Sequence, residues 1–440
     1  MRTGARAQAA LAIAWCLGAP GFAWSQTNER TYESLEFRVV TPGARAVGMG
    51  KTFVGIADDA TAAASNPAGL SNLFDPELSF EFSGAEVRNT RMSVPVPLQT
   101  KTFVSTVREP TFASFVTPLP DRKGIRNVTL AVFYNSFQRY EEHFDLPRMQ
   151  ANDERGYFGD VDISARAFGV SGAVLLGPRL SVGGAITARH LSNKTTSYQY
   201  DAVRTEVRNG SETDDSDTRM GGEVGVLFKA PHGVSIGAAY LPGTTFQLTT
   251  TLKGVFSPEG GLPARPVNTY LSPTQPIDYR VPDRLTFGGA VRLSPALTVV
   301  ADLGLVKYSQ RVTENFLIVD FLGQPTSSGL SGDQYYYRDV WEVHVGGEYR
   351  WATRAGTWAF RAGYFTDPEH QMSFDYDNSK KSPQAQGQAV RFNSYRPGTA
   401  HGLTLGSGIV IKNWLQVDAA VSSSANERQV VVSVVTRFPR

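Results

Sequence analysis

Cysteine is almost absent from this chain of 440 residues: Cys16 is the only one. That excludes a disulfide framework, a cysteine zinc site and a thiol catalyst outside the segment holding Cys16. Histidine is scarce as well, at six, and no two stand at the i, i+4 spacing of a helical zinc pair. Net charge is nearly missing, because 43 Lys and Arg offset 41 Asp and Glu to leave +2, so neither a basic nucleic-acid binder nor an acidic solvating tail fits. No Gly-x-Ser-x-Gly elbow occurs. Gly48-Met49-Gly50-Lys51-Thr52 lacks the glycine a phosphate loop needs at position 45, which is Arg45. We therefore expect no enzyme, no cofactor, no metal and no nucleic-acid partner. Long apolar runs are also wanting. Beyond the first segment none approaches the ~18 residues that a spanning helix requires, so a membrane location would demand a closed barrel, the other structure that satisfies every backbone polar group in lipid.

What is present begins with an export signal. Arg2 and Arg6 precede the apolar stretch Ala9 to Leu17, Gly18, Pro20 and Gly21 break it, and Ala23-Trp24-Ser25 offers a small-residue cleavage site after Ser25. Residues 1–25 are expected to be removed, Cys16 with them, and Trp15 is too bulky for a lipoprotein site. The mature chain then starts near Gln26.

From residue 76 to 440 the pattern is that of strands with two unlike faces. Trp341, Val343, Val345, Gly347 and Tyr349 alternate with Glu342, His344, Gly346, Glu348 and Arg350. Leu285 to Leu293, Trp358 to Tyr364 and Leu415 to Val421 repeat it. About fourteen such segments can be marked, among them 111 to 118, 127 to 138, 162 to 176, 217 to 229, 234 to 250, 279 to 293 and 337 to 350. Their connections are read as alternating strictly between tight turns, such as Gly177-Pro178-Arg179 and Lys412-Asn413, and long polar loops at Glu141 to Val161, Asp201 to Ser216, Thr251 to Ile277, Arg311 to Tyr336 and Asp367 to Pro397. A soluble sandwich has no reason to sort loops by parity, whereas an outer-membrane barrel has short periplasmic turns and long external loops. The last segment, with Val430, Val432, Val434, Thr436 and Phe438 on one face, suits the closing strand, although Pro439 and Arg440 follow the aromatic. The fold class expected is all-β, an antiparallel up-and-down transmembrane barrel.

Residues 26–75 read differently. The stretch from Leu35 to Leu70 is small, glycine-rich and partly helical, with Asp58 or Asp59 placed to cap an alanine-rich helix that Pro67 and Gly69 end. Asn66 precedes Pro67, which biases it to extended backbone, and its amide is expected to bond backbone two residues away. Gly43-Ala44-Arg45-Ala46-Val47-Gly48-Met49-Gly50, Ala57-Asp58-Asp59-Ala60 and Asn66-Pro67-Ala68-Gly69-Leu70 resemble the N-terminal hatch of the FadL-type family of outer-membrane transporters for long-chain fatty acids and aromatic hydrocarbons. Pro282-Asp283-Arg284-Leu285-Thr286-Phe287-Gly288-Gly289 and Arg361-Ala362-Gly363-Tyr364 extend the likeness over most of the mature chain. The resemblance implies a fourteen-stranded barrel closed by the hatch, an outer apolar groove, and release sideways through a gap in the wall. It makes Asn66, Pro67, Ala68, Gly48 and Gly50 the expected gating residues. Type IX secretion shuttle barrels share the motif, so escort of secreted proteins is the alternative function.

Three further features can be weighed. Glu212, Asp214, Asp215 and Asp217 form an acidic run that reads as a solvated external loop rather than a calcium site. His344, between Glu342 and Glu348, reads as part of a polar lumenal network. Phe316-Leu317-Ile318-Val319-Asp320-Phe321-Leu322 is an apolar cluster in a long connection, which costs solvation unless it packs or receives something apolar. We take Phe316, Leu317, Ile318 and Phe321, with Phe256 from the preceding long loop, as candidate contacts for substrate. The partners expected are a hydrophobic small molecule, outer-membrane lipid and lipopolysaccharide, and the barrel-assembly machinery.

Overall fold

Alternation along the sequence becomes two faces of one curved sheet. In the computed structural model, which describes residues 42–93, 99–120, 126–146, 157–200, 207–255, 270–271, 274–313, 335–375, 389, 393 and 398–439, fourteen antiparallel strands close into a barrel. They are β1 (Glu77–Ser93), β2 (Gln99–Pro118), β3 (Arg126–Leu146), β4 (Tyr157–Leu176), β5 (Leu180–Tyr200), β6 (Val207–Lys229), β7 in two halves (Val234–Leu241 and Thr244–Val255), and β8 in two halves (Thr274–Val281 and Arg284–Arg292). Then follow β9 (Leu297–Val306), β10 (Val340–Ala352), β11 (Thr357–Asp367), β12 (Ala400–Ile411), β13 (Leu415–Ser423) and β14 (Glu427–Arg437). The ring shuts where β1 pairs β14, from Glu77↔Arg437 to Val87↔Glu427. Closure removes the free edges that lipid cannot satisfy.

The faces follow the pattern. On β10, Trp341, Val343, Val345 and Tyr349 are exposed to the outside, while His344 and Glu348 are buried inward, Glu348 at 1% exposure. On β14, Val430, Val432 and Val434 face out and Val431 and Val435 face in. Among the described residues no helix is long and apolar enough to cross a membrane.

Several strands run on past the expected boundaries. Glu141–Leu146 and Tyr157–Val161, assigned above to a loop, extend β3 and β4, paired from Glu141↔Asp162 to Leu146↔Tyr157. The acidic run is likewise not in a loop: Asp214, Asp215 and Asp217 lie within β6, paired with β5. Above the lipid band the outward side chains turn polar, His143 and Asp160 among them, while Phe144 and Val161 still face in, so the apolar outer stripe ends while the backbone ladder continues; this is why the sequence pattern stopped short. The alternation of long and short connections is not strict either, since β13 and β14 are joined by a tight turn in which Ser424 donates its N–H to Glu427.

Ahead of β1, residues 42–76 make one turn of α-helix, α1 (Ala44–Gly48), and two 3-10 turns, Ala60–Ala64 and Pro67–Asn72. Asp59 rather than Asp58 caps, its carboxylate accepting the N–H of Thr61 at 3.0 Å. Pro67 does not end a helix but opens the second 3-10 turn, its missing N–H being one that a first turn leaves free.

Candidate functional site

The N-terminal residues reach strands all around the ring. Gly43 donates its N–H to Glu81 of β1 (2.6 Å), Ser71 Oγ to Ser181 of β5 (2.6 Å), and Asn66 Nδ2 to the Val226 carbonyl of β6 (3.3 Å). Ser235 of β7 donates to the Gly55 carbonyl (2.6 Å), Asp302 of β9 accepts from Phe53 N and Val54 N (2.8 and 3.0 Å), and Thr404 of β12 accepts from Gly50 N (2.9 Å). His344 of β10 bonds the Gly50 carbonyl at 2.8 Å. Such contact requires the backbone to lie directly on the wall, and glycines permit it. A Cβ at Gly363 would sit 2.1 Å from Gly50 N, at Gly346 2.2 Å from Met49 O, at Gly237 2.4 Å from Val54 O, and at Gly183 2.4 Å from Ala68 N.

One ionic cluster pins α1. Arg45 Nε donates to Glu348 Oε2 at 2.9 Å and its Nη1 pairs with Asp58. Glu348 also accepts from Arg361 Nε at 2.8 Å and Arg350 Nε at 2.7 Å, and Arg361 continues to Asp418 at 2.7 Å. Burial works against the Arg45 charge, yet Asp58, Glu348 and Asp59 around it hold its proton more tightly than usual. Burial also pushes the Asp59 carboxyl up, with Arg45 opposing. Removing one partner from such a buried group costs about 3–5 kcal/mol, because the remainder is left uncompensated.

Toward the end of the barrel away from the Gly177–Arg179 turn, the interior changes character. Phe103, Phe137, Phe144, Leu191, Phe246 and Tyr279 belong to one buried apolar cluster contributed by β2, β3, β5, β7 and β8. Within it Tyr279 Oη accepts from Gln138 Nε2 at 2.7 Å. Beside it the wall is incomplete. β2 and β3 pair only from Phe112↔Asn135 to Pro118↔Thr129, and above that β3 bulges between Ser136 and Gln138. Phe137, at the bulge, turns into the cluster. Ser136 Oγ to Glu109 Oε1 (2.6 Å) is a side-chain bridge across the unladdered stretch.

Of the residues singled out from sequence, Gly48 closes α1 with its Cα against Gly406, and Gly50 takes a φ of 75° that favours glycine. Asn66 has the extended backbone expected of a residue before proline. Its amide, however, bonds not two residues away but to Val54 O (2.9 Å) and across to β6, because the chain folds back over it. Pro67 and Ala68 are buried against β5. Phe256, Phe316, Leu317, Ile318 and Phe321 lie outside the described residues, as does the leader. Sequence reasoning passed over Arg45 and Asp302 as ties and the wall glycines as contacts; the recurrence of inward glycine at one level of successive strands was the available signal.

Comparison with known proteins agrees with this architecture. The family model described as outer membrane protein transport protein (OMPP1/FadL/TodX) matches residues 40–378. A Pseudomonas aeruginosa FadL homologue is similar in structure at 15% identity, over 92% of this chain and 99% of that one, with a TM-score of 0.61. The Ralstonia pickettii toluene transporter TbuX is similar at 16% identity, over 92% and 100%, TM-score 0.60. The P. putida toluene transporter TodX follows at 14% identity, over 92% and 100%, TM-score 0.59. These likenesses show the fold. No curated protein sequence matches. With a family model covering most of its length and a closed fourteen-stranded barrel of that fold, the chain belongs to the OMPP1/FadL/TodX family of outer-membrane transport proteins.

Proposed function

We propose that this barrel is a passive channel for hydrophobic small molecules, such as aromatic hydrocarbons or long-chain fatty acids, gated by residues 42–76 acting as a hatch. The observation that carries the reading is the buried aromatic cluster inside the barrel, set beside a wall stretch where β2 and β3 are not laddered. An apolar solute gains about 25 cal/mol for each Å² it removes from water, so such a cluster takes it up without a cofactor or an energy source. The apolar segment Phe316, Leu317, Ile318 and Phe321, with Phe256, serves as the first acceptor outside, the cluster as the second, and the β2–β3 gap as the way sideways into lipid. The hatch, tied by Arg45 and Asn66, bars the straight path. No step here forms or breaks a covalent bond, and we assign the chain no catalysis.

Uptake of radiolabelled toluene and oleate by cells producing this chain tests the reading. Replacing Phe316, Ile318 and Phe321 by serine should slow uptake at limiting substrate, and Phe137→Ser should slow it at all concentrations, with the barrel still showing heat-modifiable migration. Folded variants that take up both probes at the wild-type rate would reassign both groups to packing.

A further inference from the structure

The wall has another stretch without rungs. β6 pairs the lower half of β7 from Val224↔Tyr240 to Lys229↔Ser235, and its upper half from Asn209↔Gly254 to Thr213↔Thr250, with no ladder between residues 214–223 and 241–249. The cause lies in the chain. Pro242 has no N–H to give, and Gly243 donates its own to Asp283 Oδ1 at 2.8 Å, while Tyr240 Oη donates to Asp283 Oδ2 at 2.8 Å. Asp283 stands at the break between the halves of β8, after Pro282, so the bend of β7 is drawn toward β8 and away from β6.

Side chains close what the backbone leaves open. Arg189 of β5 spans the interval, donating to Gly222 O on β6 at 2.9 Å and to Pro242 O and Thr244 Oγ1 on β7 at 2.7 and 2.6 Å. It lies over Gly221, where a Cβ would stand 2.5 Å from its Nε. Higher up, Asp217 accepts Gln247 N–H at 2.8 Å and Arg219 Nε at 2.6 Å, Arg219 donates to Gln247 Oε1 at 3.0 Å, and Asp215 accepts Thr249 N–H at 2.8 Å. The height of this window is set by its outward neighbours. On β6 the exposed side chains from Phe228 up to Met220 are apolar, and those above, Thr218, Ser216 and Asp214, are polar. On its inner side Phe246 and Leu248, from the β7 edge, are buried in the aromatic cluster.

We propose that this window is an entrance: an apolar molecule dissolved in the outer leaflet passes between β6 and β7 at headgroup level, as Arg189, Asp217 and Arg219 swing aside, and reaches the cluster at Phe246. Rotating side chains suffices here, where a laddered wall would have to be torn. The inference rests on the transport reading above, and adds an entry from lipid to the proposed route.

A reversible lock tests it. In a Cys16→Ser background, D217C/Q247C places two thiols across the window, with E109C/S136C as the matching pair at the β2–β3 gap. Uptake of radiolabelled toluene by the oxidised D217C/Q247C protein should fall below that of wild type, to the share that the external acceptor supplies, and return on reduction, the reduced form exceeding wild type because its seal is weakened. Unchanged uptake on oxidation, with the cross-link verified by mass spectrometry, overturns the entrance. If the pair gives no folded band, D215C/T249C applies the same test one step higher. Failure of the transport reading is separate: wild type itself would then take up no more toluene than cells without it.

Discussion

Arg45 is where the hatch proposal is most exposed to test. Its guanidinium joins Asp58 and Asp59, on its own segment, to Glu348 on β10, and no strand ladder depends on it. Arg45→Met keeps the stem's volume and removes the cation paired with Asp58 and Asp59, while Glu348 keeps Arg350 and Arg361, at about 3–5 kcal/mol. We expect a folded barrel with raised single-channel leak and greater sensitivity to bulky antibiotics; a quiet channel would mean that the other ties suffice. Asn66→Ala is milder. It deletes bonds to Val54 O and Val226 O, each worth on the order of 1 kcal/mol, and should raise leak less than Arg45→Met while shifting uptake. The extended backbone of Asn66 was legible in the sequence, since it follows from Pro67. Its partners were not, because both come from chain folding back over it and from a strand 160 residues away. Arg45 was read as the residue that spoils a phosphate loop and as part of the Gly43 to Gly50 motif, not as an ionic tie.

At the scale of elements, the wall and the N-terminal turns meet backbone to backbone. Gly363→Ala adds a methyl whose carbon would lie 2.1 Å from Gly50 N, on a strand that otherwise tolerates alanine. The expected result is an intact heat-modifiable band with a displaced segment, seen as faster proteolysis near Lys51 and increased leak; an unaltered digestion pattern would show that the turn can shift without cost. Strand periodicity exposed the two faces of β10 and β14 correctly because each has lipid on one side. It missed the upper parts of β3, β4 and β6, where the outward face is polar, and it put Asp215 and Asp217 in a loop although they accept N–H groups of β7. Breaks were harder still. Pro242 and Pro282 were in plain view, but only pairing registers tell that one bend opens the wall toward β6.

For the whole molecule, the expectation is an outer-membrane location with a barrel that resists detergent until heated. The mature chain should fractionate with outer membranes and migrate faster unheated than boiled; recovery in the soluble periplasm would contradict the lipid-facing band of Trp341, Val345, Phe360 and Val430. Class and strand number were readable from alternation and turn spacing, and the location of the aromatic cluster was not, since its members are scattered from Val87 to Phe374. The ties of residues 42–76 also impose an order in time. Glu81 lies just after the segment, but Asp302, Thr404 and Glu427 come hundreds of residues later, and contacts so distant along a chain form slowly. The full set of ties can therefore be complete only once β14 is in place, because the partner of Lys51 is Glu427, at the first residue of that strand: the segment made first is the one fastened last.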